Sequence, residues 1–423
     1  MRRRARTHDR QPSHPTTSHI PTLVAEVELT DWPRWRLPAG RHADERYTHA
    51  RLLLRGDAEP GGLLGVDLPG VERAHVELSD VLATLEPPRP ERRRREQQRV
   101  ATYPARAQSV VIGTRERPDD VVRCTQAVLA AEGDAPVEVI VVDNGSTTTA
   151  TPDAVAEAFG HDDRVTCLST PIPGLSRARN LGLRRAQYDV TSFLSDDIVV
   201  DPLWRRAVAR GFSRSHEVAG VTGVCPPLYL DNDVQRRFEG LIGSGWKPGF
   251  TPQVLSWSRE PGTALPFSLA LAHGSNMSFL TESMRSLDGF DERLGPGTPV
   301  YNGEDLEFVW RICTSGGRVA FEPAAIGWNA EDYDGRTMRS ILWRYGIGLT
   351  ASLMTQRKVA EFRTNLLREL PRLLPGLHRP SLETDRGDFG AKPTVSESAT
   401  TAVARSLGPP AYLLASLRRW RNG

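Results

Sequence analysis

Lysine is almost missing from this 423-residue sequence: Lys247, Lys358 and Lys392 are the only three among 54 basic residues. A phosphate loop that relies on a lysine beside the first strand of an α/β domain therefore has no residue to use before position 247. No G-x-G-x-x-G follows the first predicted strand either, which disfavours a dinucleotide-dependent oxidoreductase. The four cysteines, Cys124, Cys167, Cys225 and Cys313, form no C-x-x-C pair and match no zinc spacing. Such dispersed cysteines suit buried thiols in a reducing compartment. No run approaches the roughly 20 apolar residues that span a bilayer, and residues Arg2 to His14 are basic and polar rather than signal-like. The expectation is a cytoplasmic protein. A net charge of +2 gives no case for nucleic acid.

What is present divides the chain into segments. Residues 1–18 carry arginine, proline, serine and threonine with nothing to build a core, and read as a disordered tail. Residues 19–85 read as a small β-containing module, with Arg51–Arg55 and Leu63–Leu68 as strands around a turn-rich loop. Residues 86–107, with Pro87-Pro88-Arg89-Pro90 and an arginine cluster from Arg92, read as a linker. From residue 108 to about 335 apolar strands alternate with helical patterns: Ser109–Ile112, Glu138–Val142, Val165–Leu168 and Asp189–Leu194. That alternation predicts a Rossmann-like α/β domain, mostly a parallel sheet with flanking helices. Residues 336–378 read as a helical extension. Residues 379–423 read as a flexible tail ending in a basic amphipathic pattern, Tyr412 to Arg421. Such a pattern permits peripheral contact with the inner face of an anionic membrane, but an ordinary docking or frayed tail is the first reading.

In open α/β sheets ligands lie beyond the carboxyl ends of the strands, and here those ends are polar. The first runs into Gly113-Thr114-Arg115-Glu116-Arg117, the second into Asp143-Asn144-Gly145-Ser146, the fourth into Ser195-Asp196-Asp197. Each alone is ordinary turn or cap chemistry; three on one crevice point to a site. Adjacent carboxylates at Asp196 and Asp197 repel unless something separates them, and oxygen-only ligands suit magnesium or manganese shared with substrate phosphates. Gly174-Leu175-Ser176-Arg177-Ala178-Arg179-Asn180 can open a helix whose free N–H groups and arginines suit a diphosphate. Glu304 and Asp305 fall in the first turn of another helix, where the dipole favours acids and where a carboxylate can serve as a general base.

These pieces, in this order, resemble the inverting GT-A-fold glycosyltransferases of family 2. The resemblance covers residues 108 to about 330 and rests on Thr114, Val-Val-Asp143-Asn-Gly-Ser, Ala178-Arg179-Asn180-x-Gly182, Leu194-Ser-Asp-Asp197, Gly274-Ser-Asn-Met277, Gly289-Phe-Asp291-Glu and Gly303-Glu-Asp305. It implies an enzyme of the hexosyltransferase class, with a nucleoside diphosphate sugar as donor and a hydroxyl-bearing glycan, lipid-linked molecule or small molecule as acceptor. Thr114, Arg117, Asp143, Arg179, Asn180 and Asp196 would bind the nucleotide sugar, with Asp143 reading the base and Arg179 on the diphosphate. Gly274, Ser275, Asn276 and Glu304 would line the boundary of donor and acceptor, and Asp305 would be the catalytic base. Asp197 would hold magnesium or manganese. Many relatives carry aspartate where Ser195 stands and a metal-binding histidine near Asn329. Asn329, or Glu331 or Asp332, would have to fill that place. A nucleotidyltransferase, or a catalytically inactive nucleotide-sugar-binding scaffold of the same fold, are the alternatives.

Overall fold

The computed structural model describes residues 3–4, 22–38, 47, 49–56, 59–68, 74–86, 103–242, 249–257, 274–333, 335–355 and 393–422. The readings made for residues 5–21, the arginine-rich stretch 87–102 and the end of the helical extension, 356–378, lie outside them.

The N-terminal module is a four-stranded sheet. Strand β1 (Thr22–Glu28) lies between β2 (Trp35–Arg36) and β3 (His49–Gly56), and β3 turns back into β4 (Glu59–Asp67). The β3–β4 pair is the antiparallel hairpin that its apolar runs predict, whereas β1 and β3 are parallel. Helix α1 (Ala74–Thr84) follows and closes a small core around Leu23, Leu52, Leu78 and Leu82.

The main body is a nine-stranded sheet built from β5 (Gln108–Thr114), β6 (Val137–Asn144), β7 (Val165–Thr170), β8 (Val190–Ser195), β9 (Ile198–Val200), β10 (Val218–Val224), β11 (Gln253–Leu255), β12 (Asn276–Leu280) and β13 (Arg318–Asn329). Their order across the sheet is β9-β13-β10-β12-β8-β5-β6-β7, with β11 beside β13. The four strands β8, β5, β6 and β7 are parallel, as expected where apolar strands alternate with crossover helices. Strand β12 joins antiparallel to β8 and β10. Helices α2 (Pro118–Ala130), α3 (Ala150–Phe159), α4 (Leu175–Arg185) and α5 (Trp204–Phe212) cover the sheet. Alternation splits each strand between two cores. Val110 and Ile112 face Val121, Cys124 and Trp204, while Val111 faces Ala178, Phe193 and Phe290.

Helix α6 (Asp233–Leu241) opens with a capping box, Asn232 accepting from the Gln235 N–H at 2.9 Å. Helix α7 (Glu304–Thr314) precedes β13, and α8 (Met338–Thr355) packs along α9 (Val395–Asn422). The helix at the C-terminus begins well before Tyr412, because Ala404, Tyr412 and Ala415 bury against Ile347 and Ala351 of α8. No described helix is long and apolar enough to cross a membrane. All four cysteines are free thiols.

Candidate active site

Register alone brings the first polar residues together. Thr114 pairs with Asp143 across β5 and β6, and Gly113 with Ser195 across β5 and β8. The Thr114 hydroxyl then donates to Asp196 Oδ2 at 2.8 Å. Asp143, at the end of β6, accepts from the Ser146 hydroxyl. The loops after β5 and β6 are tied by Glu116, whose backbone is left-handed (φ 53°) and whose carboxylate accepts from the Thr147 and Thr148 hydroxyls at 2.9 and 2.6 Å. The Thr148 hydroxyl and the Thr147 amide hold that carboxyl down to about 2.

Asp196 and Asp197 are both buried. Burial, and then the charge of Asp197, pushes Asp196 up to about 7. Asp197 is raised by burial too. Arg117 supplies the compensating charge, 3.3 Å from Asp196 and 3.4 Å from Asp197, while its Nε donates to Asp120 at 2.7 Å. Burial works against this guanidinium, but the three aspartates outweigh it and hold it above its usual range. Its side chain is still about one-third exposed, so it can exchange the aspartates for an incoming anion.

A third carboxyl completes the group. Asp197 shares a hydrogen bond with Glu331, which burial and Asp197 together push up to about 7. Glu331 is half-buried and also takes Arg336 at 2.7 Å. Among the described residues no set of three or more His, Cys, Asp or Glu side chains already stands in ligand geometry. The donor set nonetheless fits magnesium or manganese, because a divalent cation would replace the shared proton and relieve the crowding of Asp196, Asp197 and Glu331. Asn329 Oδ1 accepts from the Glu331 N–H at 2.9 Å. It turns the chain so that Glu331 meets Asp197. Asp332 is exposed, and its carbonyl accepts from Asn232 Nδ2 at 2.9 Å.

The helix expected to receive a diphosphate is built differently. Gly174 N donates to Asn144 Oδ1 at 2.8 Å and Leu175 N to the Pro296 carbonyl at 2.9 Å, so two of its first four N–H groups already have protein partners. Arg179 is fully buried. Its terminal nitrogens donate to Glu304 Oε1 at 2.8 Å and to the Gly274 carbonyl at 2.7 Å, and it lies over the Phe290 ring. Asn180 clasps Phe290 through both main-chain groups, at 2.8 and 2.9 Å. Neither side chain projects into the cleft, because the helix face that carries them packs on the Gly289–Phe290 turn. The arginine at the acidic pair is Arg117.

Arg179 acts instead on the neighbourhood of Asp305. Gly274 N donates to Asp305 Oδ2 at 2.9 Å, so a single residue, Gly274, joins the arginine to the carboxylate. Glu304 is buried and Asp305 only half-buried. Burial, then Asp305, lifts Glu304 to about 7 against the pull of Arg179. Gly303 starts α7 with φ 94°, the left-handed region that only glycine enters at little cost. Ser275 accepts from the Ser195 hydroxyl at 3.0 Å. Asn276 is committed to structure, accepting from Trp204 Nε1 at 2.8 Å and donating to the Ala325 carbonyl at 2.7 Å.

Tyr345, which no sequence motif singled out, lies on α8 with its ring exposed and edge-on to Phe238 at 6.2 Å. Tyr301 is exposed, left-handed at φ 68° and covered by Arg344 at 5.8 Å from its ring. Strain of that kind clusters at ligand sites.

Residues 109–273 match the family model described as glycosyl transferase family 2. The chain is 26% identical to the pre-mycofactocin glycosyltransferase of Mycobacterium tuberculosis over 191 residues, which cover 45% of this chain and 37% of that protein. It is 22% identical to hyaluronan synthase of Pasteurella multocida, over 48% of this chain and 22% of that one. The chain thus spans well under half the length of these curated relatives. Among solved structures it is similar to the mannosyltransferase PcManGT from Pyrobaculum calidifontis in complex with GDP-Man and Mn2+, at 19% identity and a TM-score of 0.46, over 77% of this chain and 85% of that one. A second similar structure is GalNAc-T7 with UDP, GalNAc and Mn2+, at 14% identity and a TM-score of 0.42, over 62% of this chain and 54% of that one.

Proposed function

We propose that this chain, whose residues 109–273 match the family model described as glycosyl transferase family 2, moves a hexosyl group from a nucleoside diphosphate sugar to an acceptor hydroxyl with inversion. The observation that carries this reading is a pair of carboxylate groups. Asp305 is half-buried and held by the Gly274 N–H at 2.9 Å. Asp196, Asp197 and Glu331 are crowded together, with Arg117 and Arg336 as their cationic partners. One group suits proton removal, the other a diphosphate leaving group.

Thr114 and Asp143 hold the nucleoside at the ends of β5 and β6. Arg117 exchanges its aspartates for the diphosphate, a charge-assisted contact that strengthens as the leaving group gains charge. Magnesium or manganese held by Asp196, Asp197 and Glu331 would neutralise that same growing charge. Asp305 accepts the proton as the acceptor oxygen bonds to the anomeric carbon and the carbon–oxygen bond to the diphosphate breaks. Inversion follows because the nucleophile and leaving group occupy opposite sides of that carbon.

Thermal stabilisation by UDP, GDP and dTDP, each with and without manganese, identifies the nucleotide, and hydrolysis of the matching sugar nucleotide identifies the donor. Asp305→Asn is expected to retain nucleotide binding and lose transfer by at least about a hundredfold. Near-normal transfer by that variant would overturn the mechanism.

A further inference from the structure

The N-terminal module lies outside the residues matched by the family model, yet it shares a core with them. Val24 of β1 and Leu53 of β3 pack with Val199, Val224, Phe321, Ile326 and Trp328. Strand β9 explains why. Ile198 and Val200 face the inner core beneath the sheet, whereas Val199 faces outward onto the module. Without the module, the outer faces of β9 and β13 would present large apolar side chains to water. The two parts are also joined through the backbone, Thr22 N donating to the Leu230 carbonyl at 3.0 Å.

At the centre of this contact is a buried ion group. Arg55, at the end of β3, donates to Glu26 of β1 and to Asp201, and the three side chains are 3–4% exposed. Asp201 directly follows β9, four residues after Asp197. Its carboxylate caps Leu203 N at 3.0 Å, and its N–H donates to the Ile326 carbonyl at 2.9 Å. Asp201 therefore anchors the far end of the segment whose near end is the Asp196-Asp197 pair. The same segment is paired with β13 from Ile198–Asn329 to Val200–Gly327, and Ala330 N donates to the Asp197 carbonyl at 2.8 Å. Glu331 follows at once. Asp197 and Glu331 thus stand at the tip of a two-stranded ribbon whose back is the module and whose base is pinned by Arg55.

We infer that the N-terminal module is the rear wall of the donor site, and that Arg55 is a positioning residue that sets where Asp197 and Glu331 stand relative to each other. This rests on the reading of those carboxylates as the cation and diphosphate site. It assigns the module to the donor side, not to a separate partner. Partners that orient ligands at one remove typically change metal affinity by about ten- to a hundredfold when removed. A charged pair cut in a buried place also threatens folding, so gentler variants are needed beside the deletion.

The test uses the full chain, with manganese and whichever of UDP, GDP or dTDP stabilises the wild type. Three variants are compared: Arg55→Met, Arg55→Lys and Asp201→Asn, the last nearly isosteric and leaving Arg55 on Glu26. Folding is checked by circular dichroism and melting, and the manganese concentration for half-maximal nucleotide binding is measured on the folded fraction. Positioning predicts that Asp201→Asn and Arg55→Met raise that concentration by roughly tenfold or more, with Arg55→Lys in between. In a donor-hydrolysis assay the donor KM rises more than kcat falls. If the variants only melt lower, and the folded protein binds manganese and nucleotide as the wild type does, the inference is overturned. If Arg55→Met does not fold, Asp201→Asn and Arg55→Lys decide it by the same criterion. A wild type that binds no nucleotide with manganese would instead refute the donor-site reading on which this one stands.

Discussion

Replacing Arg179 by methionine separates two roles that one arginine could play. The guanidinium is fully buried and bonded to Glu304 Oε1 and the Gly274 carbonyl. Methionine fills much of the same volume but leaves both acceptors without a donor, and Glu304 Oε2 already has no partner. Breaking a buried pair by removing one member costs about 3–5 kcal/mol. Glu304 has an escape, since burial already lifts it to about 7 and it can take up a proton; the loss is therefore expected at the lower end, about 3 kcal/mol. For a body of this size that lowers Tm by roughly 6–12 °C. Nucleotide affinity, measured by titration at a temperature where the variant is folded, is expected to change less than threefold. A contact to the diphosphate would behave oppositely: its loss removes about 1.5–3 kcal/mol of charge-assisted bonding, ten- to a hundredfold in affinity. The double variant Arg179→Met with Glu304→Gln is expected to recover part of the lost stability. If affinity fell tenfold or more while Tm held, the assignment of Arg179 to structure would be wrong and the original expectation of a phosphate ligand right.

A Cβ at Gly274 would sit 2.8 Å from Asp305 Oδ2, so Gly274→Ala pushes the carboxylate off the backbone N–H; a displacement near 1 Å costs about a hundredfold in transfer rate, with donor binding retained in the same assay. Glu331→Gln removes the carboxyl that meets Asp197 and is expected to raise the manganese needed for half-saturation by roughly tenfold or more, read by titration; Asn329→Ala affects binding less, acting only through the turn. Asp196, Glu304 and Glu331 stand near 7 in the folded protein, above their ordinary values. Because folding raises these three, their protonated forms favour the native state; their contribution to stability is full below about pH 4 and is lost as pH rises through 7. Metal-free urea midpoints at pH 5.5 and 8.5 test the sign, and manganese is expected to shrink the difference; a midpoint that rises over this range would refute it.

Much of the site is legible without coordinates because it depends on strand ends. In a parallel sheet each apolar strand must stop at the same edge, so Thr114, Asp143 and Asp196 become neighbours whatever the details of packing. The assignment of Arg179 and Asn180 to a ligand was misleading for an equally physical reason. A helix that opens near a site carries some side chains toward it and others back into the core, and spacing alone does not say which face the Gly289–Phe290 turn covers. The full role of Asn329 is not legible in the sequence, which does not show that its amide oxygen also accepts from the Glu331 N–H.

The sequence by itself determined the alternation of apolar strand and helix, the polar strand ends, the adjacent pair Asp196-Asp197, and Asp305 in the first turn of a helix. These follow from periodicity and local chemistry, which act over a few residues. Tertiary structure alone decided which charges meet. Arg117 rather than Arg179 serves the aspartates, and Glu331 rather than Asn329 joins Asp197. It also brought Arg55 to Asp201 across 146 residues. A buried charge must find an opposite partner or a proton wherever the fold places it, and the distance along the chain between such partners is set by packing, to which no local pattern refers.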